Sequence, residues 1–309
     1  MNAHSFALVG ALLLTNAALA VTPPPMPKHR VDYSNFFVLR VNPLGLQDVF
    51  DIGYRYRLYE SEEPLWRTGQ VGTSFTITPS PALLKLGPQF EIEPIGLFRF
   101  TARWEWVQWF GILDHMQSYK YADNADYSDA GVKSGGDAGS NYAGSGWQAT
   151  LIGEFKARIK DVVVRNRTTA VYSDMDLREG DRVWYDAYYD LLAPASGWTL
   201  LNEADLLYFL LEDRLIVGAR HTLMTPFLDD DALSAGSSVD LKDYPIQRVG
   251  PLVAWHVYDD PGAKLSRVTL ILLVQWHLAH PFRTGQDTHP GIPYVGLGCN
   301  LTGDLWRVP

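Results

Sequence analysis

The stretch GWQATLIGEFKARIK, residues 146–160, separates by twos. Trp147, Ala149, Leu151, Gly153, Phe155, Ala157 and Ile159 fall on one side; Gln148, Thr150, Ile152, Glu154, Lys156, Arg158 and Lys160 fall on the other. A period of two belongs to a β-strand, whose successive side chains leave opposite faces of the sheet. One face is apolar and aromatic and the other largely charged. What covers the apolar face, a protein core or lipid, decides the architecture.

The alternation recurs. Ile52, Tyr54, Tyr56 and Leu58 oppose Arg55 and Arg57, and Val71, Phe75 and Ile77 oppose Gln70, Ser74 and Thr76. Leu86, Phe90 and Ile92 oppose Gln89, Glu91 and Glu93. In GLFRFTARWEWVQW, Phe98, Phe100, Ala102, Trp104 and Trp106 oppose Arg99, Thr101, Arg103 and Glu105. RVWYDAYYDL reads the same way, with Val183, Tyr185, Ala187, Tyr189 and Leu191 against Arg182, Asp186 and Asp190. Two further long strands run through VTLILLVQWHLAH and IPYVGLGCNLTGDLW. In all there are about thirteen such segments between residues 35 and 307, with no amphipathic helix of ordinary length between them. The chain is all-β.

The links are unequal. Lys160-Asp161, the corner at 93–96, Glu212-Asp213 and Asp260-Pro261-Gly262 read as tight turns, whereas residues 111–146 and 226–244 are long and rich in Gly, Ser, Asp and Tyr. In this assignment, placing 160–161 on the short-turn side forces 212–213 to the long-loop side. That conflict points to one miscounted strand between 174 and 211.

Composition narrows the class. The formal charge of −9 and the absence of a long basic run speak against nucleic acid. Cys299 is the only cysteine, so no intrachain disulfide supports the fold. The apolar run at 6–14, followed by Ala18-Leu19-Ala20 and the prolines at 23–25, predicts a cleaved signal peptide over residues 1–20. After it come a Pro-rich segment, 21–34, and one β-barrel domain, 35–309, with long loops near 111–145 and 226–244. No later segment reaches the ~20 apolar residues of a spanning helix.

Alternation alone fits a soluble barrel as well. Three features favour a membrane. The strands approach the roughly 9–11 residues that cross a bilayer when tilted. Aromatic residues cluster at strand ends, as girdles at the two interfaces require, among them Trp104 to Trp109, Trp184 to Tyr189, Trp198 and Trp306. More than ten half-polar strands make an awkward soluble sheet, but closure leaves no edge.

With its signal peptide, aromatic-rich alternating strands, single cysteine and Gly/Asp-rich loops, the chain resembles Gram-negative outer-membrane β-barrel proteins. The resemblance is architectural and covers nearly the whole mature chain. It implies a transmembrane antiparallel β-barrel of about twelve strands in the outer membrane. Such barrels often end on an aromatic residue; here Trp306 stands three residues before the end.

On this reading Arg55, Arg57, Glu91, Glu93, Arg99, Arg103, Glu105, Glu154, Lys156, Arg158, Asp186 and Asp190 face the lumen. Trp104, Trp106, Trp147, Phe155, Tyr185, Tyr189, Trp255 and Trp276 face lipid or form the girdles. Lumen charges of both signs can line a water-filled pore or pair into a plug, and both remain open. The function expected is passive, porin-like passage of small polar solutes, or a structural surface barrel. Partners are the bilayer and possible solutes. No cofactor is expected.

Motifs for serine hydrolases, zinc proteases, phosphate loops and EF-hands are missing from the sequence. The aspartates at 123, 126, 129 and 137 and the run Asp229-Asp230-Asp231 match no cation template and read as hydrated loops. Asn166-Arg167-Thr168 and Asn300-Leu301-Thr302 fit a glycosylation sequon but lie in predicted strands. His256, His277, His280 and His289 are the only enzymatic lead, for an envelope-modifying enzyme on the same scaffold. In a straight strand His280 would share the lipid face and His277 the lumen, so the two would not converge. A soluble exported β-domain binding carbohydrate through exposed aromatics is the third reading.

Overall fold

The computed structural model describes residues 26–240, 244–261 and 263–308; the predicted signal peptide lies outside them. Twelve strands close a barrel: β1 (His29–Val41), β2 (Gly45–Arg57), β3 (Gln70–Pro79), β4 (Leu83–Ile95), β5 (Phe98–Phe110), β7 (Ala143–Ile159), β8 (Val162–Met175), β11 (Ser196–Leu210), β12 (Leu215–Pro226), β13 (Ile246–Asp259), β14 (Arg267–Ala279) and β15 (Tyr294–Val308). Every neighbour is antiparallel, and β1 pairs with β15, with His29 opposite Val308, to close the ring. The first strand begins at His29, inside the segment expected to precede the barrel. Closure pairs every strand on both sides, so no edge is left unpaired.

The alternation has its apolar side out. Phe100 and Trp104 are each 50% exposed on β5, while Thr101 and Glu105 between them are buried. On β7, Leu151, Phe155 and Ile159 point outward and Gln148 and Thr150 inward. A soluble barrel would place the apolar set inside. With closed strands and an apolar, aromatic outer wall, this is a transmembrane barrel of the outer-membrane type.

The four predicted tight turns all lie at one end, together with the longer loop 58–69. The opposite end carries the short hairpins 42–44 and 80–82 and the long connections 111–142, 176–195, 227–245 and 280–293. Both ends of the described chain lie at the short-turn side.

This arrangement resolves the counting conflict. RVWYDAYYDL does not cross the barrel. It forms a hairpin, β9 (Val183–Asp186) and β10 (Leu191–Pro194), which joins β6 (Ser118–Tyr119) in a three-stranded sheet apart from the barrel wall. Every residue of both hairpin strands is buried. With that false crossing removed, 160–161 and 212–213 fall on the same side. A short aromatic-rich hairpin and a membrane strand share one period, and only what covers the two faces tells them apart.

The hairpin plugs the long-loop end. There the inner wall changes from charged to apolar: Leu83, Val107, Trp109, Met175, Met224 and Ile246 pack with Met116, Tyr127, Val132, Val183, Trp184, Tyr185, Leu191 and Leu192 of the loops. Trp184 Nε1 donates to the Pro194 carbonyl at 3.2 Å, so its buried N–H is satisfied. Burial of each such large side chain stabilises the insertion by about 2 kcal/mol. One short helix, α1 (Asp129–Asp137), covers the plug; the Ser128 hydroxyl caps it by accepting from Gly131 N at 2.9 Å.

Candidate functional site

The lumen below the plug is lined by ion pairs over much of its wall and, on β11 to β14, by an apolar cluster around Leu207, Leu252 and Ala254. Arg55 reaches Asp32, Asp51 and Glu91 at 3.7, 3.5 and 3.8 Å. Glu93 receives Arg99 at 2.6 Å and Lys156 at 3.6 Å. Across the lumen Asp205 receives Arg165 at 2.6 Å and Arg220 at 2.7 Å, and Arg220 also meets Glu203. Strand pairing puts these charges on adjacent rungs, where opposite signs attract. A cavity of about 130 Å³ lies among them, bordered by Gln89, Glu91, Arg99, Arg103, Glu154 and Arg167.

A larger cavity, about 490 Å³, opens at the long-loop end between the plug and the low wall of β1 to β5. Arg40, Leu83, Trp109, His115, Tyr185 and Tyr188 are among its lining residues. Descending β4, Leu83 borders this upper cavity, Lys85 comes next, and Gln89 and Glu91 border the lower one. Descending β5, the order is Trp109, Glu105, then Arg103 and Arg99. The two cavities are therefore stacked on one wall. Lys85 and Glu105 lie between them, 3.6 Å apart and both almost fully buried. Lys85 Nζ also lies over the Tyr188 ring at 4.6 Å and near the Tyr189 ring at 5.8 Å, so the plug closes over the pair.

The plug is pinned by a buried cluster. Asp190 accepts from Arg283 at 2.8 and 3.1 Å and from the Tyr185 hydroxyl at 2.8 Å. Arg283 also donates to Asn42 at 2.8 Å and to Asp129 at 3.0 and 3.2 Å. One guanidinium thus ties together the hairpin, the β1–β2 turn, α1 and the 280–293 loop. Burial would raise the Asp190 pKa, but the His280 and Arg283 contacts outweigh it and hold the carboxyl well below its usual range. Asp186 is different: burial, only partly offset by Lys85 and by the backbone N–H groups of Tyr188 and Tyr189, raises its pKa to about 6.

The sequence-predicted residues separate accordingly. Arg55, Glu91, Glu93, Arg99, Arg103, Glu105, Glu154 and Lys156 point into the lumen. Arg57 and Arg158 sit at the short-turn rim, Arg57 donating to the Met26 carbonyl and Arg158 forked onto Asp213 at 2.7 and 2.8 Å. Asp186 and Asp190 are inside, but on the plug. Trp104, Trp106, Phe155, Trp255 and Trp276 are on the outer surface, and Trp147 stands there against Tyr172. Tyr185 and Tyr189, expected at the lipid face, belong to the plug, and Trp109 and Trp184 are buried rather than in a girdle.

The histidines also depart from expectation. β14 ends at Ala279, so His280 leaves the strand and turns inward, and the His277 and His280 rings stand 5.3 Å apart. His280 Nδ1 accepts from the backbone N–H of Phe282 and Arg283, which leaves its proton on Nε2, 3.4 Å from Asp190. Neither ring nitrogen of His277 has a partner. His256 hydrogen-bonds Thr269, and His289 accepts from Gly291 N. Among the acidic loops, Asp123 accepts from Ser234 and Asp126 from Ser128, so those carboxylates hold loops together. Among the described residues no group of three or more His, Cys, Asp or Glu could hold a metal ion.

Lys85, Arg283, Asp205 and Arg220 were not singled out from the sequence. Lys85 had a signal: it is a lone cation at an inward position in the otherwise apolar start of β4.

No family model matches the chain, and no curated protein matches it. Among solved structures it is similar to the KdgM porin, with 9% identity and TM-score 0.39, covering 89% of this chain and 100% of that one. It is similar to the translocator domain of the autotransporter NalP from Neisseria meningitidis, with 10% identity and TM-score 0.39, covering 98% and 96%. It is also similar to the β domain of the Bordetella autotransporter BrkA, with 11% identity and TM-score 0.43, covering 89% and 99%.

Proposed function

We propose that the protein is a porin-like channel of the outer membrane that passes small polar solutes along the β3–β5 wall, with the 183–194 hairpin as its gate. The supporting observation is the stacking of two cavities on one wall, with the Lys85–Glu105 pair and the tyrosine rings above it among the groups between them. The lower cavity, lined by charges of both signs, suits hydrated polar solutes over apolar ones. In planar bilayers, the Lys85→Ala/Glu105→Ala double variant is expected to conduct more than the wild type, and deletion of residues 183–194 more again. A plug-deleted barrel that folds but carries no current would overturn the reading.

A further inference from the structure

The outer wall is not uniformly apolar. On β8, Val162 and Val164 are exposed while Val171, Ser173 and Met175 are buried, so the even-numbered positions face out, Asn166 and Thr168 among them. On β11, Trp198, Leu206 and Tyr208 face out, which puts Asn202 on the same side. On β12, Thr222 and Met224 are buried inward, so His221 faces out, directly opposite Ala204 of β11. All four lie in the middle of their strands, at the depth of the hydrocarbon.

Three of them satisfy one another. Asn202 Nδ2 donates to Asn166 Oδ1 at 3.1 Å and to Thr168 Oγ1 at 2.8 Å, and Asn166 Nδ2 donates back to Asn202 Oδ1 at 3.2 Å. His221 makes no hydrogen bond, ion pair or ring contact among the described residues. The residues around the group are small: Gly153 and Ala170 beside Thr168, Ala204 between Asn202 and Leu206, and Ala219 next to His221 on the outer side. The other polar pair facing lipid, Asn35 and Asp48, is closed on itself, with Asn35 Nδ2 donating to both carboxylate oxygens at 2.8 and 2.9 Å.

Lipid tails offer no hydrogen bonds, so an unpartnered polar group at mid-membrane is costly and marks a protein contact. Small residues around it let a second backbone approach closely. A two-fold axis normal to the bilayer keeps every residue at its own depth, so this patch on one barrel meets the same patch on another. An amide both donates and accepts, and is complementary to itself.

We infer that the β8–β11–β12 outer face is the interface of a homodimer, in which Asn166, Asn202 and His221 of one barrel hydrogen-bond across the membrane midplane to those of a second copy. The test uses the full-length protein in the envelope. With Cys299→Ala as background, Ala204→Cys is expected to form a disulfide-linked dimer under mild oxidation, and Phe90→Cys, on a distant outer face, is not. In mild detergent, light scattering is expected to give two chains per particle for the wild type and one for Asn166→Val/Asn202→Val/His221→Leu. That variant should keep the migration shift on heating that reports a folded barrel. A wild type that is monomeric with no Ala204→Cys dimer overturns the inference. So does linkage through Phe90→Cys instead, or to an envelope protein of another mass.

Discussion

Along β5 the inward residues run Arg99, Thr101, Arg103 and Glu105 from the short-turn end, then Val107 and Trp109 toward the long loops. The same change occurs on β12, from Arg220 to Met224, whereas β13 and β14 run the other way, with Arg248, Gln275 and His277 under the plug and Leu252, Ala254, Ile271 and Leu273 farther down. One set of strands therefore encloses two different interiors. The lower one is polar on most of the wall, with ion-paired carboxylates such as Glu93 and Asp205 that are themselves buried, and carries a small apolar cluster around Leu207, Leu252 and Ala254. The upper one is a dry core in which a charge survives only when fully partnered. A lumen of this width does not fill itself with its own side chains at both ends. The chain fills the long-loop end with a hairpin and leaves a smaller cavity of about 130 Å³ among the charges below it.

The sharpest test of that contrast is the pin. Arg283→Ala leaves the buried Asp190 carboxylate without its cation, which in a dry interior costs about 3–5 kcal/mol. The expected result is a plug cut by protease within 176–195 while the barrel keeps its heat-dependent migration. Next comes Leu192→Ala, whose fully buried side chain is worth about 2–4 kcal/mol to the plug core; it should raise the conductance and proteolytic sensitivity without altering ion selectivity. Arg103→Ala removes two hydrogen bonds to Gln89 and one of two cations beside Glu105, but Lys85 still partners that carboxylate, so it is expected to destabilise less than Arg283→Ala and to shift cation-to-anion selectivity, measured as a reversal potential under a salt gradient. Equal destabilisation by Arg103→Ala and Arg283→Ala would erase the distinction between the halves.

Acidity sharpens it further, with the smallest effect. The Asp186 pKa is raised by docking from 3.8 to about 6, so its contribution to the docked plug is fully present below 3.8 and is lost as pH rises through about 6. Asp186 by itself seats the plug more firmly at pH 5 than at pH 7, while the His115 ring against Tyr185, whose pKa burial lowers, pulls the other way; relative to the wild type, Asp186→Asn should therefore be less firmly seated, and more conductive, at pH 5 than at pH 7. Asp190, whose pKa is depressed, loses its contribution only as pH falls far into the acid range and adds nothing to this window.

The barrel was legible because lipid imposes one rule on every wall strand: apolar out, at each second residue. That rule is written into the alternation of β2, β4, β5 and β7, whose two faces differ in polarity at each second residue. The plug was not legible, because RVWYDAYYDL alternates as a wall strand does, and burial on both faces leaves no mark on period. The unequal turns did mark it, since 160–161 and 212–213 fall at one end only when 183–194 is taken out of the wall. His280 was misplaced for a related reason: alternation holds only to the last residue of a strand, and β14 ends at Ala279.

The Arg283 pin also constrains the order of assembly. Asn42 follows β1 and Arg283 follows β14, so the two flank the seam where β15 meets β1. The first and last strands must find each other before that hydrogen bond can form. The hairpin, tethered at both ends between β8 and β11, takes its final seat only as the cylinder closes around it. Closure of the wall and completion of the Arg283 pin are thereby linked.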